Sequence, residues 1–576
     1  MGNCVSRPPQ TGTTAGACSS EKGDVAPETT PCPTLPFQEP TQSFWTYPPS
    51  SIATYTSQDS LPTHADIVVI GSGISSASFA RTLLEIDQER DDASRPLHVV
   101  MLEAQETCSG ATGRNGGHIN PPLYHDYEDL KQSIGTRAAQ QIMRFRLAHL
   151  EVLAKVAAAE ADSADCREVQ AVDVFFDGVV FAEAKRKLSV YKADLPQEAK
   201  AYEVWEGANA QKTFNLSPLA VGCITTRAGA VHPYRFVTSI LSRLLADYPK
   251  HFHLYTRTPC TSITGPSTTT PFYTLNTPRG QLSASHVVHL TNAYVGGLIP
   301  RLANAIYRVR ETMSTQRPGR GLHFQGTSDV KGDGRRSYVF FDSPQRKGFD
   351  YLTQLPNGER ELMFGGGLEG TAQDSGAAEG CSPGKARGMY DVHSAAHVSG
   401  ALPIYFGATN WGAEGVSVEG EGADDDERDP WAAGRVKALW SGVLSVSVDE
   451  LPWVGRVPPR IAGRMSPPNT NSSTRMARPG EWVAAGYSGE GMVHAWLCSR
   501  AVALMVLGLE TAKGVGIDSI AEGQFAEGQS VDEWLPACYR ISEARLERAN
   551  SIIKRLNRRI GGGRGGTGKM KVYGST

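Results

Sequence analysis

Residues Ala65–Glu85 read ADIVVIGSGISSASFARTLLE. An apolar run, a glycine-rich turn and a helix-length stretch follow one another, which is the pattern of a strand–turn–helix unit. The strand ends at Ile70 and the helix begins near Ile74. Gly71 allows the tight turn, and Gly73 lets the backbone approach a pyrophosphate held at the helix N-terminus. Ser76 stands at the third position of the motif in place of Gly or Ala, and it is small enough for close helix packing. A second strand, PLHVVMLEA (Pro96–Ala104), ends on Glu103. Glu103 lies 30 positions beyond Gly73, whereas about 20 is usual. The polar connection DQERDDASR (Asp87–Arg95) accounts for the excess. A carboxylate at that place accepts a hydrogen bond from a ribose 2′-OH and repels a 2′-phosphate, so it favours an adenine dinucleotide without that phosphate. An ordinary α/β unit shares the glycine turn. It is the strand before, the helix after and the acidic residue on the next strand that together mark a dinucleotide cradle.

A second match to G-x-G-x-x-G, GGGLEG (Gly365–Gly370), follows the strand-like ELMF. The residues after it, TAQDSGAAEGCSPG, are no helix, so the phosphate-binding N-terminus is missing. One dinucleotide site and no separate nicotinamide domain are expected. The bound cofactor is then the redox centre itself, which points to FAD rather than NAD.

The chain around this unit has 576 residues, enough for two or more domains. Its formal net charge of −3 argues against a general nucleic-acid binder. The 10 cysteines are scattered, with no C-x-x-C and no Cys/His spacing that reads as a metal site. Free thiols in a reducing compartment, and hence an intracellular, cytoplasmic chain, are the simpler expectation. The most apolar helix candidate, Met492–Leu507, carries His494 and Arg500 and is too short to span a membrane. Residues 1–62, rich in Pro, Ser and Thr, predict a disordered leader. That leader opens with MGNCVS, which fits an acylation signal: myristoylation at Gly2 and a palmitoylation site at Cys4. A chance match and a true membrane-surface anchor both remain open. The basic, glycine-rich end of the chain predicts a disordered tail.

Apolar residues at helical spacing predict one long helix from about Glu128 to Ala161, with His149 as a packed or surface residue on its face. The segments VDVFFDGVVFA (Val172–Ala182), FHLYTRTPCTSI and FYTLNTPRGQLSASHVVHLTNAY alternate like antiparallel strands. Runs 412–429 and 465–473 look like surface insertions.

The remaining glycine-rich passages are CSGATGRNGGHINPP (Cys108–Pro122) and GEWVAAGYSGEGMVHAWLCSRAVALMVLG (Gly480–Gly508), the latter preceded by ALWSGVLSVSVDELPWVGRVP. Gly486, Gly489 and Gly491 lead into Met492, a second strand–turn–helix whose N-terminus stabilises negative charge. Jointly with the first cradle, these passages resemble the D-amino acid oxidase-like superfamily of FAD-dependent oxidoreductases, and among them the glycine, sarcosine and γ-glutamylputrescine oxidases. The resemblance implies a Rossmann-like α/β FAD-binding domain (63–165, 220–300 and 436–510) and a mixed, mainly antiparallel α+β substrate domain (166–219 and 301–435). A C-terminal extension (511–576) follows. It implies that Gly71, Gly73 and Ser76 form the FAD turn and that Glu103 holds the ribose. Thr112, Arg114, Asn115, Gly116 and Gly117 would form the loop passing the pyrophosphate and flavin. Asp449, Pro452, Gly455 and the turn Gly486–Met492 would contact the flavin. His118 and Cys108 flank the loop, but neither falls where a covalent flavin link is expected.

The implied chemistry is removal of a hydride from a C–H beside nitrogen in a small amine or amino acid, with oxygen as electron acceptor and hydrogen peroxide as product. A dehydrogenase with another acceptor, and a membrane-tethered flavin protein with little turnover, are the alternatives. No Ser-His-Asp or Cys-His motif is present or needed. Substrate-side candidates come from the second domain: Tyr338, Tyr351 and Arg310 first, with His323 and Arg308 beside them. An arginine there binds a carboxylate bidentately.

Overall fold

The strand His64–Ile70 is apolar and buried along almost its whole length, as a strand covered on both faces must be. In the computed structural model, which describes residues 35–36, 41–89, 96–268, 270–322, 334–342, 348–366, 391–415, 430–468, 476–513 and 529–561, it lies inside a parallel sheet. Val99–Leu102 and Gly280–His289 flank it; Phe252–Tyr255 and Gly480–Ala485 extend the two sides. Trp453–Arg456 closes one edge as an antiparallel strand. Helix Ile74–Glu89 packs against Ala495–Val506, and their small residues let the backbones approach. Ser78 Oγ, for example, donates to the Trp496 carbonyl at 2.6 Å.

A second, mixed sheet is built on the strands Ile306–Gln316, Arg336–Phe341, Asp350–Gln354 and Leu362–Gly366 from the middle of the chain. It is antiparallel except where Arg336–Phe341 runs parallel to Arg167–Phe175. One face packs on helix Val392–Phe406 through Phe340, Leu352 and Phe364. The other faces the glycine turns of the first sheet. The α/β class and the two-sheet architecture are those expected.

Several boundaries differ from the expectation. Gly222–Ala230 and Val436–Ser447, expected in the cofactor domain, pair in the second sheet; the latter runs antiparallel to Ile306–Gln316 along its length. The long helical pattern is two helices, Leu123–Ile134 and Thr136–Glu160, broken where Gly135 takes φ +86° and donates back to the Lys131 carbonyl. His149 is packed inside the second of them, its Nδ1 2.9 Å from the Phe145 carbonyl. Only the first part of Val172–Ala182 is strand. Asp177 then caps a helix, Gly178–Asp194, by accepting from the Val179 and Val180 amides. Phe252–Tyr255 pairs parallel rather than antiparallel.

The leader differs most. Residues 41–62 are part of the folded body rather than disordered. Trp45 is 1% exposed, and Ser57 exchanges backbone and side-chain bonds with Leu254 at the edge of the first sheet. Hydrophobic periodicity misses this because one buried tryptophan and a run of backbone bonds are enough to hold an irregular segment. In the C-terminal extension, helix Glu543–Gly561 carries Arg545, whose guanidinium is buried on Asp449. The motif MGNCVS with Gly2 and Cys4, residue His323, and residues 367–370 of the second glycine motif lie outside the described residues. Among the described residues no helix is long and apolar enough to cross a membrane.

Candidate functional site

The C-terminal ends of the parallel strands open on one cavity of about 330 Å³, which continues to the inner face of the second sheet. Open α/β sheets bind ligands at this end. Gly71 has φ +105°, and a Cβ there would stand 2.9 Å from the Leu290 carbonyl oxygen. A Cβ on Gly73 would stand 2.9 Å from Thr112 Oγ1, which already accepts the Ile74 amide at 3.1 Å. The helix N-terminus and the loop after Glu103 are thus held in contact.

Glu103 sits beside this turn. Its carboxylate accepts from Ser72 Oγ at 2.7 Å and from the Gln105 amide at 2.9 Å. Burial raises its pKa, and those donors oppose the rise. The carboxylate lies at the cavity wall, where a ribose hydroxyl can reach it. Gly110 and Gly489 also line the cavity, and the place of a Cβ on either meets no protein atom within 4 Å. Bare backbone around open space, a helix N-terminus and a diol acceptor fit an adenine dinucleotide.

Of the residues assigned to the cofactor, Gly71, Gly73, Glu103, Thr112, Arg114, Asn115, Gly116, Gly489, Gly491 and Met492 line the cavity. Ser76, Gly117 and Gly486 do not; they shape the turns behind it. Ser76 is fully buried in the helix packing. Gly117 has φ +68° against Trp45, and Gly486 has φ +80° against Trp453 and Ile306. Asp449, Pro452 and Gly455 lie off the cavity as well. Asp449 instead pairs with Arg545, which keeps its carboxyl below the usual range despite burial.

Arg114, expected in the loop that passes the pyrophosphate and flavin, is committed to carbonyls. Nε donates to Ser109 O at 2.7 Å, and Nη1 to Thr41 O at 2.6 Å and Ser441 O at 3.0 Å. It therefore ties the cofactor loop to the leader and to strand Val436–Ser447. Burial lowers its pKa to about 10. Asn115 Oδ1 accepts the Gly117 amide at 2.8 Å, and its carbonyl accepts Trp45 Nε1 at 2.5 Å. Leu35 and Pro36 reach the cavity wall, so the leader forms a strap over the loop.

On the substrate side the structure separates the three leading candidates. Tyr351 lines the cavity: its ring lies where a Cβ on Gly116 would be 2.5 Å away, and where one on Gly365 would be 2.7 Å away. Its hydroxyl is 3.0 Å from Met313 Sδ. Tyr338 is on the opposite face of its strand, stacked on Phe340 with its hydroxyl toward the Phe214 carbonyl. Arg310 does not line the cavity, nor does Arg308, which lies over the Tyr294 ring. Successive strand residues face opposite ways, so the neighbours of the latter candidates, Val339 and Glu311, take the inward places.

Glu311 is the residue the sequence reading passes over. It is 8% exposed, and burial raises its pKa to about 7, with the Tyr351 hydroxyl the one hydrogen bond that opposes the rise. Its signal in IYRVRETMSTQ is parity: Glu311 shares a face with Val309 and Met313, while the arginines share the other. Further along the wall, Asp173 accepts from Tyr124 Oη at 2.8 Å and lies 3.2 Å from His125 Nε2. His118 Nε2 is 2.8 Å from Ser337 Oγ, and burial lowers its pKa to about 4. Among the described residues no group of His, Cys, Asp and Glu could hold a metal ion.

A family model, DAO, described as FAD dependent oxidoreductase, matches residues 66–505. Among solved structures, glycine oxidase from Geobacillus kaustophilus is similar at TM-score 0.51 and 15% identity, over 77% of this chain and 95% of that one. L-proline dehydrogenase from P. horikoshii is similar at 0.52 and 16%, over 77% and 94%. NikD, an amino acid oxidase of nikkomycin biosynthesis, is similar at 0.52 and 16%, over 81% and 98%. At these identities the likeness is one of fold. Comparison with curated proteins gives no match.

Proposed function

The chain belongs to the FAD-dependent oxidoreductase family, and from that premise we propose that it oxidises the C–N bond of a small amine or amino acid, with oxygen as electron acceptor. FAD held there would supply the redox chemistry, a hydride acceptor for the C–H beside nitrogen and an electron donor to oxygen, with hydrogen peroxide as product. The observation that carries the reading is the single cavity joining the Glu103 cradle to the inner wall at Glu311 and Tyr351.

Each part of the chain has a role in it. Glu103 accepts the ribose hydroxyls. The N-terminus of helix Ile74–Glu89 would meet the pyrophosphate with its positive end, and Gly71 and Gly73 would keep side chains out of the approach. The turn Gly489–Met492 places a second run of backbone amides on the cavity. Tyr351, Phe341 and Phe349 exclude water from the substrate's side. A cytoplasmic enzyme held at a membrane surface by acylation of Gly2 and Cys4 completes the reading; two chains hold stably where one binds marginally. Intact mass of the protein from cells, with and without Gly2→Ala, tests the anchor.

The test of the activity is an absorbance spectrum of the purified protein, then an anaerobic panel of amines and amino acids. The expected result is a yellow protein whose colour bleaches with at least one of them and returns on admission of air with formation of peroxide. A colourless protein overturns the reading. Bleaching without peroxide would assign a different acceptor.

A further inference from the structure

Glu311 is a buried carboxylate that the fold leaves short of partners. Its directly opposed cross-strand neighbour is Gly442, which has no side chain to offer. Strand Asp350–Gln354 presents Tyr351, whose one hydroxyl hydrogen is shared between Glu311 and Met313 Sδ. Asp350, on the opposite face of that strand and bonded to His397 and Tyr405, and Glu490, in the turn after Gly480–Ala485, are carboxylates that both oppose ionisation of Glu311. Arg114 of the cofactor loop packs on Gly442 through its Cβ, while its guanidinium is bound to three carbonyls. No lysine or arginine among the described residues forms an ion pair with Glu311.

A buried carboxylate with one hydrogen bond is costly unless a cation completes it. The cavity supplies the place for that cation. Tyr124, Tyr202, Phe341, Phe349 and Tyr351 wall the same space, and aromatic faces attract an alkylammonium. Asp173 adds a further carboxylate to that wall. A substrate carboxylate would meet these groups with like charge.

We propose that Glu311 anchors the ammonium group of the substrate and accepts its proton, so that the cavity takes amines lacking a carboxylate beside the reacting nitrogen. The step is a proton transfer: an N–H bond breaks, an O–H bond forms on Glu311, and the nitrogen keeps the electron pair. A neutral amine is the form whose C–H yields a hydride, since the nitrogen lone pair stabilises the cation left behind. The inference rests on the amine-oxidation reading and narrows its substrate class.

The test uses the holoenzyme and two redox-inert probes, tetramethylammonium and acetate, read by the change in bound-flavin absorbance. Tetramethylammonium should bind with a Kd that falls about tenfold from pH 6 to pH 8, following ionisation of a group near pH 7. Glu311→Gln should abolish that pH dependence and weaken binding at pH 8 at least tenfold, while Glu311→Asp retains the dependence. The spectrum of each variant reports whether it still holds flavin. If Glu311→Gln does not fold, the pH dependence and the two-probe comparison on the unmodified enzyme still decide. Tighter binding of acetate than of tetramethylammonium, or binding of the cation that ignores pH, overturns the proposal. Ethylamine and alanine, which differ by the carboxylate, separate the two levels. Bleaching by alanine but not ethylamine overturns only the present inference, and bleaching by no amine or amino acid overturns the amine-oxidation reading beneath it.

Discussion

Removing the indole of Trp45 should loosen the cofactor loop before it unfolds the protein. Trp45 is 1% exposed and packs edge-on against His232 at 4.5 Å. Its Nε1 donates to the Asn115 carbonyl, and its ring lies 3.2 Å from where a Cβ on Gly117 would be. A buried tryptophan covers about 200 Å², which at about 25 cal/mol per Å² is about 5 kcal/mol as an upper figure. Trp→Ala losses of about 3–5 kcal/mol are usual for such sites. Trp45→Ala should therefore cost about 4 kcal/mol. At about 2.1 cal/mol/K per residue, a folded body of this size loses about 1 °C of melting temperature for each kcal/mol. The expected fall is about 4 °C. Because Trp45 touches the loop rather than the sheet, release of flavin, read by its fluorescence on heating, should precede loss of helical circular dichroism. Trp45→Phe keeps most of the packing and drops only the hydrogen bond, so it should cost about 1 kcal/mol. If Trp45→Ala releases flavin and melts within about 1 °C of the unmodified protein, the strap is not part of the folded core and the reasoning fails.

Other substitutions probe the site from different sides. Burial raises the folded pKa of Glu311 from 4.5 to about 7, so the folded state holds its proton longer than the unfolded one. The resulting stability is present below the unfolded value and is lost as pH rises through about 7. Glu311→Gln should accordingly stabilise the protein by about 3 kcal/mol at pH 8 and by less than about 1 kcal/mol at pH 5, by thermal melts across pH. Gly365→Ala would put a Cβ 2.2 Å from Met313 Sδ and 2.7 Å from Tyr351 Cζ. It should cost about 1–3 kcal/mol and displace Tyr351, slowing any amine-driven bleaching of the flavin. Asp449→Asn leaves the buried Arg545 guanidinium without its charge partner and should cost about 3–5 kcal/mol at neutral pH. Since Asp449 has a lowered pKa, its contribution is present above the unfolded value and lost as pH falls through the folded one, so the variant and the unmodified protein should converge in acid.

The dinucleotide cradle is legible from residues alone because its signals are local. A tight turn, a close backbone approach and a helix start all fall within the few residues from Ile70 to Ile74, and Glu103 ends the next strand in register with them. The same locality makes the glycine turn at 486–491 and the α/β class legible. The substrate wall is different. Whether Tyr338 or Val339 faces inward depends on which side of a mixed sheet meets the cavity, and a shift of one residue exchanges the faces. That choice is made by pairing between Arg336–Phe341 and Arg167–Phe175, distant in the chain. Arg114 reads only as one residue of the cofactor loop until Thr41 and Ser441, 73 and 327 positions away, bring their carbonyls to it. The leader reads as disordered because its hold is one buried indole and backbone bonds to distant strands. Glu311 lies unremarked after Arg310 on its strand until the opposing Gly442 and the place of its side chain in the cavity wall make it a buried acid with few partners. Short-range backbone geometry is thus written in the sequence, whereas side-chain partnership belongs to contacts that only the folded chain brings together.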